Sequence, residues 1–474
     1  MHGIKFILLL TVGLLMPSVA LPQSDSCQSL ILNLRFDEAR TQIDKLPAGY
    51  RTVWLSSYAL FVEQLAKLDK PDPDAFAELL KAVRRHYHTN SADYQQCLSD
   101  IYLMRCYACF VNGSYVASYT AYTQARQAIG SLQTDDWRRR RFGLIELIYD
   151  SQLQNVAPLL ADNLTDDERT EKYCRTVEQL TQNASVPEQF RNELKVASLL
   201  LFPLVSSNSK AGLRLLHGFG REWPVSGPLA AFTAAERLIA ADSTASALKI
   251  LTSACHRGYG SRFNTINLLT GNTMLNAGID SCEFYLRQFI DNQTNLSDVL
   301  YAKFKLAWHS FLKGDTAECE SLCQKVIWTV AVTASDAQAK YECAMYHYWD
   351  IQLLRARLAF DAADYRLCKS ILDSAGQRKS QFTPVQANEY AYRMGRVCHK
   401  TGDFENAKRY YEAAVDHNLE KTLYYPCYAA YYIGTIYKAE GNKAKANEYF
   451  KTCRKTSSPI YGESIHQKAR HEME

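Results

Sequence analysis

Beyond its first twenty residues the chain has no apolar run long enough to cross a bilayer, which takes about twenty consecutive apolar residues. The nearest candidate, Leu199 to Val205, is broken by Pro203 and followed by serines, and reads as a buried helix end. Excess charge is also missing. With 54 basic and 50 acidic residues among 474, the formal charge of +4 sets up no global field to gather nucleic acid, so no nucleic-acid partner is expected. Catalytic signatures are absent too: there is no phosphate-cradling glycine loop, no Gly-x-Ser-x-Gly turn, no His-Glu-x-x-His helix and no paired Cys-x-x-Cys set. No catalytic, cofactor-binding or metal-ligating residue is therefore assigned, and the chain is read as a non-enzyme.

Three local patterns come nearest to chemistry, and each has a plainer explanation. His86 and His88 could share a metal only on a strand, whereas Ala77 to Tyr87 reads as helix. Cys106 and Cys109 have redox or zinc spacing, but they have no second pair and lie on an apparent helix that ends at Asn112-Gly113. The run Arg138 to Arg141 follows Thr134-Asp135-Asp136, the composition of a helix start, and predicts a solvated helical face. Sequons at Asn112, Asn163, Asn183, Asn292 and Asn295 would matter only in a eukaryotic secretory pathway.

The opening residues have the layout of an export signal. Met1 to Lys5 give a positive start, Phe6 to Met16 an apolar stretch, and Ser18-Val19-Ala20 a small-x-small cleavage site, so residues 1–20 are read as a signal peptide and Leu21 as the mature start. Cys27 follows Ser24-Asp25-Ser26, which lacks the approach of a lipoprotein signal. No transmembrane helix is expected in the mature chain. Fourteen cysteines in an exported chain could suggest disulfides, but Cys319, Cys368 and Cys453 occupy positions where a small helix-packing residue belongs, and Cys398 one where an aromatic belongs.

Those positions come from a repeat. Thirty-nine residues separate Gly395 from Gly434, and each glycine begins a matching series: Gly402, Ala407, Tyr411 and Ala414 after the first, Tyr437, Gly441, Ala446 and Phe450 after the second. A glycine in the first helix lets a second helix approach closely, the alanine does the same from the other side, and the aromatic fills the remaining space. Gly402 and Gly441 supply the left-handed backbone that ends a helix at low cost. Fainter copies include Leu34, Phe36, Ala39 and Ile43; Gly113, Tyr115, Tyr122 and Ala125; Ala235, Ala247, Leu251 and Ala254; Leu306, Ala307, Gly314, Cys319 and Val326; and Ala356, Tyr365, Cys368 and Leu372.

In these spacings the chain resembles the tetratricopeptide (TPR) repeat superfamily. The small residue, the glycine seven later, the alanine five after it, the aromatic four further and another small residue three beyond all have counterparts, although Cys453 takes the last place in the second copy. The proline that closes a repeat appears as Leu419 in the first copy and one place late, as Pro459, in the second. The resemblance implies an all-α solenoid of antiparallel hairpins forming a right-handed superhelix, degenerate toward the N-terminus. The segments Leu32 to Arg40, Leu353 to Asp361, Tyr392 to Arg396 and Tyr461 to Ala469 also resemble exported TPR proteins of Gram-negative bacteria. That likeness implies a periplasmic or outer-membrane-associated assembly factor without catalytic residues.

Turn chemistry at Arg221 to Pro228 suggests a boundary, giving a degenerate helical region over 21–225, degenerate middle repeats over 226–380, and a C-terminal repeat pair with a capping helix over 381–474. If first-helix positions i, i+3, i+7 and i+10 face a groove, as the family usually arranges, the candidate protein-binding residues are Glu389, Tyr392, Arg396, His399, Tyr428, Tyr431, Thr435 and Lys438. Tyrosines interleaved with cations suit a peptide that carries carboxylates and apolar anchors. The corresponding stripe around Phe304, Leu306, Trp308 and Phe311 is more apolar and reads as core. The function expected is a scaffold for a protein or peptide partner in the cell envelope; the alternative is a glycan-binding outer-membrane protein of the helical nutrient-uptake type.

Overall fold

The structure, a computed structural model, describes residues 24–66, 71–87, 89–134, 136–156, 158–161, 164–186, 191, 194, 227–293, 295–415 and 423–473. The signal-type segment 1–20, His88, Asp135, Asn163, the stretch 199–205, the suggested boundary near 225 and Leu419 lie outside them. Among the described residues the fold is all-α, without a strand. Two compact units are present, one of Met1–Arg237 with Ser253–Phe263, the other of Leu238–Thr252 with Asn264–Glu474.

Within the first unit run α1 (Ser24–Leu32), α2 (Phe36–Ile43), α3 (Tyr50–Ala66), α4 (Pro73–His86), α5 (Ala92–Val111), α6 (Tyr115–Gly130), α7 (Trp137–Val156) and α8 (Asp166–Gln182). Next in the chain come α9 (Pro228–Ala240), α10 (Thr244–His256) and the single turn α11 (Tyr259–Arg262). The second unit continues with α12 (Thr265–Asn276), α13 (Cys282–Asn292), α14 (Val299–Lys313), α15 (Thr316–Trp328), α16 (Ala334–Ala344), α17 (Ile351–Asp361) and α18 (Tyr365–Gly376). It ends with α19 (Pro384–Lys400), α20 (Phe404–Val415), α21 (Tyr425–Ala439), α22 (Lys443–Lys455) and α23 (Gly462–Met473).

Eight of the connections share one geometry. Leu34, Gly113, Asp242, Gly278, Gly314, Ala363, Gly402 and Gly441 all have left-handed backbone, with φ between 57° and 83°. In each case the next residue's N–H reaches back to the carbonyl five positions earlier, as Asp364 does to Ala359 and Asp403 to Cys398 at 2.9 Å, closing the end of the helix. In the last four connections that same residue then starts the following helix: the side chains of Asp315, Asp364, Asp403 and Asn442 accept from the backbone N–H of Glu318, Leu367, Asn406 and Lys445. One short turn thus ends one helix and starts the next.

Packing follows from the same reference point. Seven positions before the left-handed residue lie Cys27, Cys106, Ala235, Gly271, Ala307, Ala356, Gly395 and Gly434, all small and all buried. Five positions after it lie Ala39, Ser118, Ala247, Cys319, Cys368, Ala407 and Ala446, buried as well. Only after Gly278 does the second helix run one residue early, placing Cys282 there; this α12–α13 hairpin is the copy that the sequence reading passes over. A Cβ added to Gly395 would stand 2.5 Å from the Tyr411 ring, one on Gly434 2.5 Å from Phe450, and one on Gly271 2.7 Å from Leu286. The aromatic rings therefore occupy the volume that the glycines leave open.

Within the second unit these hairpins build successive clusters of buried side chains. One joins Phe304, Trp308, Cys323 and Val326 to Ala339 and Cys343 of α16. The next two centre on Leu372 with Val397 and on Tyr411 with Ile433, and the last seats Ile465 and Ala469 of α23 against Cys427, Ala430 and Phe450. Each cluster draws on neighbouring hairpins, so the core runs on from one to the next. Twelve of the fourteen cysteines are buried.

The basic run in the first unit departs from expectation. Arg141 is buried and pairs with the buried Asp100 at 2.9 Å, and Arg138 reaches Asp93 at 2.6 Å. Positions 138 and 141 are three apart on α7 and so share a face, which here meets carboxylates on α5. The run is thus divided between that face and the surface, where Arg139 remains exposed.

Space around Gly402 is open, so substitution there tests backbone conformation alone. Gly402→Ala is expected to destabilise the chain by about 1 kcal/mol, whereas Ala363→Gly, at the equivalent turn, should stabilise it by a comparable amount, about 1 kcal/mol or less after the extra unfolded-state entropy of glycine. Urea unfolding of the two variants checks both signs.

Candidate functional site

The first helices of successive hairpins in the second unit, α14, α17, α19 and α21, bring an unusual set of cations and aromatic rings together. The helix α16, inserted between hairpins, completes one wall. It is fixed through Asp336, whose buried carboxylate accepts the backbone N–H groups of Asp298, Tyr301, Val332 and Thr333. That carboxylate ties the start of α14 to the start of α16.

Arg357 of α17 donates to Glu342 of α16 at 2.8 Å, and its guanidinium carbon lies 4.5 Å from the centre of the Trp308 ring. On α14, the Lys305 ammonium stands 3.9 Å from the same ring and near Tyr301 and Phe304. Lys305 is 4% exposed and makes no hydrogen bond or ion pair among the described residues. Burial above all, then the Arg357 charge, pushes its pKa down to about 7, while Asp361 and Glu342 oppose the shift. The aromatic faces replace only part of the water that the ammonium gives up.

On α19, Arg393 pairs with Glu389 one turn earlier at 2.7 Å. Arg396 lacks any such carboxylate. Its guanidinium carbon lies 4.5 Å from the Phe360 ring centre, 5.0 Å from Tyr432 and 5.8 Å from Tyr392, and it donates to the Tyr392 hydroxyl at 3.1 Å. Among the described residues Arg396 makes no ion pair. Around it, Tyr392 packs against Tyr411, Tyr424 and Tyr425, and Tyr428 against Tyr424 and Tyr432.

A cavity of about 150 Å³ opens among these groups, with Arg357, Phe360, Asp361, Tyr392, Arg393, Arg396, Tyr424, Tyr428 and Tyr461 in its lining. A second, of about 30 Å³, shares Arg357 and adds Trp308, Glu342 and Glu389. A larger one, of about 550 Å³, lies where α14, α17 and α18 meet the segment Thr244–Leu248; aliphatic side chains make up much of its wall, and neither Arg396 nor the tyrosine cluster takes part. Shape alone would favour the large cavity. The smaller pair concentrates the charge and hydrogen-bonding groups that a specific ligand needs.

The structure distributes the eight sequence-derived candidates unevenly. Glu389, Tyr392, Arg396 and Tyr428 line the two smaller cavities. His399 packs against Tyr411, Phe404 and Tyr432, and burial, aided by Arg396 and Lys400, lowers its pKa. Thr435 bonds to the carbonyl of Tyr432 in its own helix. Tyr431 and Lys438 both bond to Glu472 of α23, so the chain's own last helix already takes up these two polar groups, although Lys438 stays exposed. The Phe304 and Trp308 stripe is buried core, and the same Trp308 ring also supports Lys305 and Arg357.

Arg357, Arg393, Lys305 and Tyr461 are the residues that the sequence reading missed. Arg357 had a signal: it precedes Arg396 by thirty-nine residues, the same interval that separates Gly395 from Gly434.

Taken together, the repeated turn, the small residue seven before it and the stacked clusters define a helical-repeat protein. Residues 389–418 match the tetratricopeptide repeat family, and the all-α architecture of the described residues supports a protein of the TPR superfamily. No curated protein matches the chain. Repeats of this type serve as protein-interaction scaffolds.

Lys305 gives a pH test of the buried cation set. Unfolded, its ammonium titrates near 10.4; folded, Tyr301, Phe304 and Trp308 of α14, Glu342 of α16, and Arg357 and Asp361 of α17 surround it, and the net shift is downward. Between about pH 7 and 10 the unfolded chain holds a proton that the folded chain has released, so this group adds stability as pH rises and costs most below pH 7. Lys305→Met should therefore be more stable than the parent at pH 6.5, by on the order of 1 kcal/mol or more, with the advantage shrinking toward pH 10. Unfolding free energies measured across that range check the trend.

Proposed function

We propose that the protein is a non-enzymatic scaffold that holds an acidic, aromatic-bearing segment of a partner protein in the groove formed by α14, α17, α19 and α21, and that it does so in the cell envelope. The observation that carries the reading is Arg396, a cation enclosed by three aromatic rings yet, among the described residues, without a carboxylate partner. An incoming carboxylate would supply that counter-charge, and flanking tyrosines give an aromatic side chain flat surfaces to pack on. The envelope location rests on the signal-like order of Met1 to Ala20.

A fluorescent peptide of alternating Tyr and Glu residues provides the test. Its binding should saturate, weaken with salt, and fall about tenfold in Arg396→Gln, the loss of one charge-assisted hydrogen bond. Arg396→Lys should recover little, because an ammonium cannot reproduce the planar stacking. Saturable binding to sugars on a glycan array, with no response to the peptide, would instead favour the glycan-binding alternative.

A further inference from the structure

The groove already has an occupant. Between α22 and α23 the chain runs through Ser457-Ser458-Pro459-Ile460-Tyr461, a segment without a charged residue. Tyr461 lines the cavity beside Arg357, Arg393, Arg396, Tyr424 and Tyr428. Its hydroxyl donates to the side-chain carbonyl of Gln338 on α16, 123 residues earlier. The ring therefore stands beside α17, α19 and α21 while its hydroxyl is tethered to α16.

The segment is held at both ends and strained at the ring. Before it, the Thr456 carbonyl lies 3.0 Å from His466 Nε2. After it, Ile465 and Ala469 anchor α23 in the last core cluster, and Glu472 holds Lys438 at 3.0 Å. Tyr461 itself has φ 57°, a left-handed conformation that disfavours a residue with a bulky side chain. That backbone also serves the start of α23, where the Tyr461 carbonyl accepts from the Ile465 N–H at 3.0 Å. The Tyr461 side chain can leave the cavity without unpacking α22 or α23, which are anchored in the last core cluster.

We propose that residues 457–461 form a strap that closes the groove, with Tyr461 in the place of a partner's aromatic residue, so that the partner binds by displacing it. This rests on the reading of the groove as a peptide site and adds its regulation. The strap supplies a ring and a hydroxyl but no carboxylate, and among the described residues Arg396, which lines the same cavity, is left without an ion pair. A displacing segment that carries both an aromatic ring and acidic residues gains what the strap lacks. Wild-type affinity is then reduced by the fraction of molecules in which the strap is open.

The labelled peptide Pro-Ile-Tyr-Glu-Glu, with the full-length protein, tests this by fluorescence polarisation. Tyr461→Gly removes the ring and relieves the left-handed strain, and should bind the peptide about tenfold more tightly than the parent, as expected if the strap is open in about one molecule in ten. Gln338→Ala loosens the same lock from α16 and should give about a threefold gain, the equivalent of one modest hydrogen bond. Circular dichroism confirms that both variants remain folded, and adding Arg396→Gln to Tyr461→Gly should abolish the gain. Equal affinity in parent, Tyr461→Gly and Gln338→Ala, with binding still about tenfold weaker in Arg396→Gln, would overturn the strap while leaving the groove reading intact. Binding by none of the proteins would overturn both.

Discussion

Close approach of two helices at a small residue is the contact on which the rest of this structure depends. A small residue sits seven positions before the left-handed residue in each of the eight shared connections, and a second small one follows the turn in the partner helix. Glycine at 395 and 434 is the extreme case, because the Tyr411 and Phe450 rings fill the space that a Cβ would need. Interiors packed to this density leave little freedom in how paired helices cross. Because the turn itself is closed by backbone hydrogen bonds and reopened by a capping side chain, the spacing between helices is fixed locally, hairpin by hairpin.

That local rule produces the groove. Stacked hairpins align their first helices, so positions one repeat apart fall on the same side: Arg357 and Arg396 are separated by the repeat interval and both line the same cavity. The cations are kept there by unlike means. Arg357 and Arg393 have carboxylate partners, whereas Lys305 and Arg396 rely on aromatic faces. A buried cation without a carboxylate is costly unless something compensates it, which makes Arg396, the one of the two that lines the cavity, the chemically unsatisfied part of the site.

Much of the fold was legible in the sequence because packing residues recur at fixed offsets from the turn. Ala39, Ala247, Cys319 and Cys368 could be read as one kind of position although their chemistry differs. Exact register was harder to see, since the left-handed residue is Leu34, Asp242 or Ala363 in three of the copies and glycine no longer marks it. The α12–α13 hairpin was hidden by a shift of one residue. As to the site, offsets of 3, 7 and 10 at about 100° per residue swing roughly 60°, 20° and 80° from the starting direction. The stripe is therefore spread over the helix surface: Glu389 lines one small cavity, Tyr392 and Arg396 the other, and His399, at offset 10, packs against Tyr411, Phe404 and Tyr432 instead. The tether from Tyr461 to Gln338 spans 123 residues and leaves no local pattern at all.

A double-mutant cycle at Gly395 and Tyr411, followed by urea unfolding, addresses the packing rule most directly. With Tyr411 in place, Gly395→Ala should cost about 1–3 kcal/mol through overpacking. In a Tyr411→Ala background the same change should be neutral or stabilising by up to about 1 kcal/mol, because alanine favours helix more than glycine does and the ring is gone. An equal cost in both backgrounds would show that the glycine is not there to admit the ring, and would contradict the account of how these hairpins pack.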